Sequence, residues 1–228
     1  NHAHSTGWEN SGTIHSQWEW GNGASQPSAE YKQKFQNRVL ELIDDYNPDM
    51  LYFDDTAMPF YGCDDQVGKN ILQHYYNHSA ALHKGKPEVV VTGKKLTKEQ
   101  KGYMMWDVER GIPDRPREEY WQTCTCIGDW HYNLNTYRKN GYKSAATVVR
   151  MLVDIVSKNG NLLLSIPLRA DGTYDDKEEV VLNGIEAWMK INGESIYGTR
   201  VWKECFGEGP LAEAVNGMTA KGFNEGQN

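Results

Sequence analysis

The chain has 228 residues, of which 39% are hydrophobic and 24% are charged, as in ordinary globular proteins. Its formal net charge of -7 argues against nucleic acid or an anionic membrane surface as the main partner. Apolar runs fall short of the roughly 18 residues of a membrane-spanning helix, so no span is expected. These values predict one large domain or part of a larger one.

Aromatic residues are abundant, with 8 Trp, 13 Tyr and 5 Phe. Trp and Tyr offer a flat apolar face with a hydrogen-bonding edge. Sugar rings, which have apolar C–H faces and polar rims, suit such surfaces. Several of these side chains are needed for the core, and the others are candidates for the walls of a sugar pocket.

Residues 1–27 are rich in His, Trp, Gly, Ser and Asn and lack a helical period. We expect a short strand followed by a long loop, and long loops in compact domains are often functional. His2 and His4 stand at alternate positions, so on a strand they point to the same face. They are candidate site residues.

A helix is predicted next, capped by Ser28 and ended before Pro48. Its expected apolar stripe is Tyr31, Phe35, Val39, Leu42 and Tyr46. A short apolar strand follows and delivers Asp54 and Asp55 at its C-terminal end. In sheets of alternating strands and helices that end faces the active site. The alternative interpretation is a polar loop start.

The rest of the chain continues the alternation. We predict a helix over 66–84 with Val67, Ile71, Tyr75 and Leu82 near one face, a strand over 88–92, a solvated charged connection over 94–101 and a strand over 103–107. Residues 108–142 show no clear period and are expected to wall a pocket. A helix capped by Ser144 is expected to bury Val148, Met151, Leu152 and Ile155, and a strand over 161–166 follows it. A last helix, whose start is crowded by Asp175, Asp176, Glu178 and Glu179, completes the pattern.

This order predicts an α/β fold with a parallel sheet. About five strands are visible, whereas a (β/α)8 barrel has eight. We therefore predict the C-terminal portion of such a barrel over residues 1–202, with its first strands missing from this chain. Residues 203–228 are predicted to be a tail or linker. A doubly wound open sheet is the alternative, weakened because the glycine-rich dinucleotide fingerprint is absent.

Paired carboxylates at strand ends point to glycoside hydrolysis, in which retaining enzymes use one as nucleophile and one as acid/base. Asp54 is the candidate nucleophile, because a strand holds its backbone. The candidate partners are Asp107, Glu109, Glu118 and Glu119, and spacing favours Glu109. A metal at His2, His4, Asp54 and Asp55 is conceivable but lacks a compact motif, so no metal and no cofactor are expected.

Four segments, in order, resemble the α-L-fucosidases of glycoside hydrolase family 29. They are the strand from Pro48 to Asp54, the stretch from Trp106 to Gly111 that continues at Trp121–Cys126, the segment from Val156 to Pro167, and the segment from Asn192 to Arg200. The second is similar to the branch preferring α-1,3- and α-1,4-linked fucose. Together they cover most of residues 46–202.

The resemblance implies a retaining exo-glycosidase without a cofactor, acting on fucosylated glycans and secreted or periplasmic. It implies Asp54 as nucleophile and, by carry-over, Glu109 as acid/base. It implies sugar contacts from His2 and His4 and pocket walls from Tyr52, Trp106, Trp130 and His131. Members of this branch also carry a β-sandwich domain after the barrel, which this chain does not reach.

Two other interpretations stay open. A sugar-binding barrel could keep the pocket without catalysis, although Asp54 and Glu109 together favour an enzyme. A different retaining barrel glycosidase is the second alternative, which substrate screening would distinguish. The sequence makes no prediction of the oligomeric state.

Overall fold

The computed structural model describes residues 29–54, 66–94, 96–202 and 218–221. The chain divides into two compact units, the first ending at Trp106 and the second beginning at Asp107. The predicted first strand, the Ser28 cap and the loop containing Asp55 lie outside the described residues. Among the described helices, none combines the length and apolar character that a membrane crossing requires.

The first unit alternates helices and strands as predicted. Its elements are α1 (Ala29–Tyr46), β1 (Met50–Tyr52), α2 (Gln66–Leu82), β2 (Val90–Gly93) and the start of β3 (Met105–Glu109). Strand β1 pairs in parallel with β2, with Tyr52 opposite Thr92. Strand β2 pairs in parallel with the start of β3, with Thr92 opposite Met105. The predicted parallel sheet is therefore present in this unit.

The buried face of α1 differs from the predicted apolar stripe. Ile43 is fully buried, whereas the predicted Leu42 is half exposed and Tyr46 is exposed. The reason is the helical period, because Ile43 lies one turn beyond Val39 and continues its face. On α2, Val67, Ile71 and Tyr75 are buried as predicted, while Leu82 in the last turn is exposed.

A short connection leads from α1 into β1 and is held from two sides. Asn47 ends α1 in the left-handed conformation, with φ 47°, and its N–H donates to the Ile43 carbonyl. The Tyr75 hydroxyl donates to the Pro48 carbonyl at 2.5 Å. Burial, followed by the nearby Asp49 charge, raises the pKa of Tyr75 to about 12. This hydrogen bond ties α2 to the entrance of β1.

The second unit contains the remaining elements. They are the end of β3, β4 (Gly111–Pro113), β5 (Trp121–Cys126), α3 (Leu134–Arg138), α4 (Ala145–Ser157), β6 (Gly160–Ser165), α5 (Asp176–Asn192) and β7 (Met218–Lys221). Strands β5 and β6 are parallel over their whole length, and β4 pairs antiparallel with β7.

Three strands of this unit, β4, β5 and β7, were not predicted. The range 108–142 has no clear period in the sequence, but it contains β4, α3 and β5, and β5 is buried at all six positions. Its alternating Thr and Cys residues form no aliphatic run, which explains the miss. Strand β7 lies inside the range 203–228, whose interpretation as a tail stays a prediction.

Helix α4 has the predicted cap and most of the predicted buried stripe. The Ser144 side chain accepts from the Thr147 N–H, and Val148, Met151 and Ile155 are buried. Helix α5 approaches α4 closely, because a Cβ added at Gly184 would lie 2.6 Å from the Cβ of Ala145. Only glycine permits this approach.

The start of α5 is a buried capping box. Asp175 Oδ1 accepts from the Lys177 and Glu178 N–H groups, and Glu178 Oε2 accepts from the Asp175 N–H. The Tyr142 hydroxyl donates to Asp175 Oδ2 at 2.6 Å. Both carboxyl groups are fully buried. Burial raises the pKa of Glu178 above its ordinary value.

The raised pKa predicts how stability depends on pH. The reference is Glu178→Gln, which keeps a capping-box residue at this position. We expect the free energy of unfolding of the native protein, compared with that of this variant, to increase as the pH falls from neutral toward about 4.5. The folded state holds the Glu178 proton where the unfolded chain has released it. The contribution is complete below the ordinary value of 4.5 and is lost as the pH rises through the raised pKa. Urea unfolding of both proteins across this pH range measures it.

Asp129 supplies the control of opposite sign. Its pKa is lowered, first by the hydrogen bond from the Asn133 side chain and then by that from the Trp130 N–H. Compared with Asp129→Asn, the Asp129 carboxylate therefore adds to the free energy of unfolding above pH 3.8, its ordinary pKa. This contribution is lost as the pH falls through the lowered pKa. A difference between the native protein and Glu178→Gln that does not change with pH would contradict the prediction.

Candidate active site

Asp54 lies at the C-terminal end of β1, as predicted, and has a lysine beside it. Tyr52 is opposite Thr92, so Asp54 and Lys94 each follow a paired residue by two positions. Lys94 Nζ lies 2.5 Å from Asp54 Oδ1, and the Lys94 side chain is only 11% exposed. The expectation that the connection starting at Lys94 is solvated is therefore wrong at its first residue. The pairing of Asp54 with Lys94 follows from the strand register, so a correct prediction of that register is the signal that would have identified it.

The backbone around Asp54 is fixed on its strand side. The Phe53 N–H donates to the Thr92 carbonyl, which extends the ladder past the last residue of β1. Phe53 is buried in the core of the first unit, and Asp54 is one-quarter exposed. The alternation of a strand thus sends Phe53 inward and leaves the next carboxylate accessible from solvent.

Two predicted pocket walls belong to the same unit. Tyr52 is half-buried on β1. Trp106 on β3 is also half-buried, and Lys101 Nζ lies 3.7 Å from the centroid of its ring. This cation–π contact holds the ring face against a charged neighbour. His2 and His4, the sugar contacts implied on the predicted first strand, lie outside the described residues.

In the second unit, the candidate acids next to β3 differ sharply in environment. Asp107 is 1% exposed; its Oδ1 accepts from Gln122 Nε2 at 2.9 Å and its Oδ2 from Cys124 Sγ at 3.2 Å. Glu109 ends β3 and is exposed. Glu118 and Glu119 are exposed residues before β5. Asp107 is therefore a buried structural acceptor, and Glu109 combines a strand backbone with access to solvent.

Arg110 links the end of β3 to Trp130. Its backbone is left-handed, with φ 48°, and its N–H donates to the Cys124 carbonyl. Its guanidinium lies 2.7 Å from Cys126 Sγ and stacks on the Trp130 ring at 4.8 Å from the centroid. A positive φ at a non-glycine residue costs energy and often marks a functional site. This arrangement of Arg110 was not predicted from the sequence.

Asp129 holds the other side of Trp130. Its carboxylate accepts from the Trp130 N–H at 2.9 Å and from Asn133 Nδ2 at 3.0 Å. These hydrogen bonds, with a smaller contribution from the Arg110 charge, lower the pKa of Asp129. Trp130 is thus positioned by charged neighbours on both sides, and the next residue, His131, is exposed.

Comparison with known proteins gives one family. The sequence model of the alpha-L-fucosidases matches residues 2–194. The plasma alpha-L-fucosidase of Pongo abelii is 30% identical over 174 residues, which are 72% of this chain and 35% of that protein. The plasma alpha-L-fucosidase of Rattus norvegicus is 29% identical over 210 residues, covering 84% of this chain and 43% of that protein.

A solved structure shows the same fold. The crystal structure of Thermotoga maritima alpha-fucosidase in complex with a mechanism-based inhibitor matches with a TM-score of 0.60 at 29% identity, over 78% of this chain and 38% of that one. The predicted fold class, an α/β chain that forms a portion of a (β/α)8-like barrel, is confirmed. The chain spans well under half the length of the relatives it matches.

The buried Gln122–Asp107 pair predicts a stability effect close to the candidate acid. Replacing Gln122 with Ala removes a donor from a buried carboxylate, so we expect a loss of about 1–3 kcal/mol in the free energy of unfolding. Gln73→Ala is the control, because Gln73 is exposed on α2 and its removal should change stability by less than about 0.5 kcal/mol. Urea unfolding distinguishes the two, and equal effects would refute the prediction.

Proposed function

This chain belongs to the alpha-L-fucosidase family, and we propose that it is part of a retaining exo-α-L-fucosidase. The reaction is hydrolysis of terminal fucose from fucosylated glycans by double displacement. The observation that carries the proposal is the carboxylate of Asp54, held at the end of strand β1 and paired with Lys94. The family membership supplies the substrate class, and the residues below supply the chemistry.

Asp54 is the proposed nucleophile. In the first step a carboxylate oxygen of Asp54 bonds to the anomeric carbon of fucose while the bond to the leaving oxygen breaks. In the second step water attacks the same carbon and the ester to Asp54 breaks. Two inversions give overall retention. Lys94 acts as a positioning residue, because its ammonium holds one carboxylate oxygen at 2.5 Å.

Glu109 is the proposed acid/base. It protonates the departing oxygen in the first step and removes a proton from the attacking water in the second. Its exposure on the final residue of β3 is compatible with contact to substrate and water. Asp107 is less suited to the acid/base role, because it is buried and its two oxygens accept hydrogen bonds from Gln122 and Cys124.

Aromatic side chains would form the walls of the sugar pocket. Fucose carries a C6 methyl group, so a ring face beside hydroxyl-binding groups suits its mixed surface. Tyr52, Trp106 and Trp130 are the proposed ring faces, with His131 as a polar neighbour. We extend the proposal to His2 and His4 on the basis of the family resemblance.

The finer parts of the proposal concern linkage and location. Residues 106–111 and 121–126 resemble the branch that prefers α-1,3- and α-1,4-linked fucose, so we propose that preference over α-1,2 and α-1,6 linkages. A panel of oligosaccharides that differ only in linkage tests it through kcat/KM. Two relatives are named plasma alpha-L-fucosidases, which supports a secreted or periplasmic location.

Replacing Asp54 with Ala should abolish turnover of an aryl α-L-fucoside, lowering kcat on the order of 10⁴-fold or more. Added azide should restore turnover by attacking the vacated face, and the product should be the inverted β-fucosyl azide. The control is Asp49→Ala, an exposed carboxylate at the other end of the same strand, which should retain activity. Retained activity in Asp54→Ala would eliminate Asp54 as the nucleophile.

Replacing Glu109 with Ala should lower kcat about 10²–10⁴-fold on substrates with poor leaving groups. The loss in kcat/KM should shrink for a dinitrophenyl fucoside, which departs without a proton, and azide should yield the retained α-fucosyl azide. The control is Glu118→Ala, an exposed acid that the sequence left as an alternative. If Glu118→Ala shows this pattern and Glu109→Ala does not, the assignment moves to Glu118.

The wild-type protein distinguishes the remaining functional classes. Binding of fucose without turnover of any fucoside would support the sugar-binding interpretation and overturn the enzyme proposal. Turnover of a different aryl glycoside in preference to the fucoside would support another retaining glycosidase.

A further inference from the structure

The two helices of the first unit bring three metal-ligating side chains together, away from the candidate active site. Asp44 lies in the last turn of α1, and His74 and His78 lie one turn apart on α2. Asp44 Oδ1 lies 2.6 Å from His74 Nε2 and 3.3 Å from His78 Nδ1. One ligand atom from each of the three residues lies within 4.8 Å of the others.

Asn47 determines which nitrogen of His78 faces this cluster. His78 Nε2 lies 2.6 Å from Asn47 Oδ1. An amide oxygen only accepts, so Nε2 carries the hydrogen in this arrangement and the neutral ring keeps a lone pair on Nδ1. That lone pair faces a carboxylate oxygen at 3.3 Å. This lone pair and the carboxylate oxygen are placed as two ligands of one metal ion would be.

The surrounding charge also favours a cation. Asp44 and Asp45 both occupy the last turn of α1, which contains no basic residue. The free carbonyl groups at a helix C-terminus are already negative, so acids there raise the local negative potential. The two histidine rings stack with their centroids 6.0 Å apart.

We propose that Asp44, His74 and His78 bind a divalent transition-metal ion, with Zn²⁺ as the best match. Two imidazole nitrogens and one carboxylate oxygen suit Zn²⁺, Co²⁺ or Ni²⁺, whereas Mg²⁺ and Ca²⁺ need more oxygen ligands. Bonds of about 2.0–2.1 Å at tetrahedral angles place ligand atoms roughly 3.3 Å apart. The pair Asp44–His78 already has this separation, and the pair Asp44–His74 opens by less than about 1 Å.

Asn47 completes the site from outside the coordination sphere. A metal-binding histidine usually donates its second N–H to an oxygen that fixes the ring, and Asn47 Oδ1 does this for His78. The side chains of Asp44 and His74 are 48% and 37% exposed, so solvent reaches the ion and water fills the remaining positions.

The location gives the ion a structural function. It joins the end of α1 to α2 directly before the strand β1 begins. Asp54 lies at the other end of that strand, some four to five residues away, which corresponds to roughly 13–17 Å of extended chain. Metal removal should therefore lower stability and leave fucoside hydrolysis unchanged.

The test is titration of the purified protein, free of a histidine tag, with Zn²⁺ alone by calorimetry. We expect saturable binding that His74→Ala and His78→Ala each weaken by at least about tenfold. Co²⁺ in place of Zn²⁺ should give visible absorption bands that both variants lose. Zn²⁺ should raise the Tm of the native protein, because the ion binds the folded state.

Two further variants keep the test decisive. His83→Ala lies on the turn after α2, where its ring contacts Ser79 instead of the cluster, and it should bind Zn²⁺ like the native protein. Asn47→Gly keeps the left-handed backbone but removes the amide, and should weaken binding about tenfold. If His74→Ala fails to fold, Asp44→Asn takes its place.

Three results would overturn the proposal. The first is no saturable Zn²⁺ binding by the native protein, in which case the cluster is a hydrogen-bonded contact between the two helices. The second is equal binding by the native protein and both histidine variants, which places the ion on other residues. The third is an equal loss in His83→Ala, which indicates a general effect on α2.

Discussion

The parallel register of β1 and β2 is the constraint on which the candidate nucleophile depends. Tyr52 is opposite Thr92, and the Phe53 N–H continues the ladder to the Thr92 carbonyl. This register places Asp54 and Lys94 side by side at the strand ends. A shift of one residue would reverse the direction of every side chain and expose Phe53 in place of the carboxylate. The burial of Phe53 therefore helps to fix the position of the Asp54 carboxylate.

In the second unit, strand β5 buries polar side chains that have hydrogen-bond partners. Gln122 donates to Asp107, Thr123 Oγ1 donates to the Val108 carbonyl, and Trp121 Nε1 donates to the Lys158 carbonyl. An unpaired buried polar group costs about 1–3 kcal/mol, so such a strand is stable only in one arrangement. These bonds fix the backbone that carries Glu109, and they explain how a strand of Thr, Gln and Cys occupies a core.

The sequence predicted what depends on local pattern. The apolar run after Pro48, the stripe of α4 and the acidic start of α5 each follow a short-range period or cap, and the structure contains all three. It missed what depends on distant partners. Strand β5 lacks an aliphatic signature, and Lys94 meets Asp54 only through strand register. The metal-binding cluster joins residues some 30 positions apart, which no local period reveals.

The two ends of β1 have different functions. In barrels of this class the C-terminal ends of strands carry chemistry, while the opposite ends carry stability. The entrance of β1 is held by the Tyr75 hydroxyl on the Pro48 carbonyl and by His78 on the Asn47 side chain. The first bond is part-buried and involves no metal ligand, so it keeps the strand in place when the proposed ion is absent. An ion at Asp44 then adds stability to α1 and α2 without being required for the geometry of Asp54.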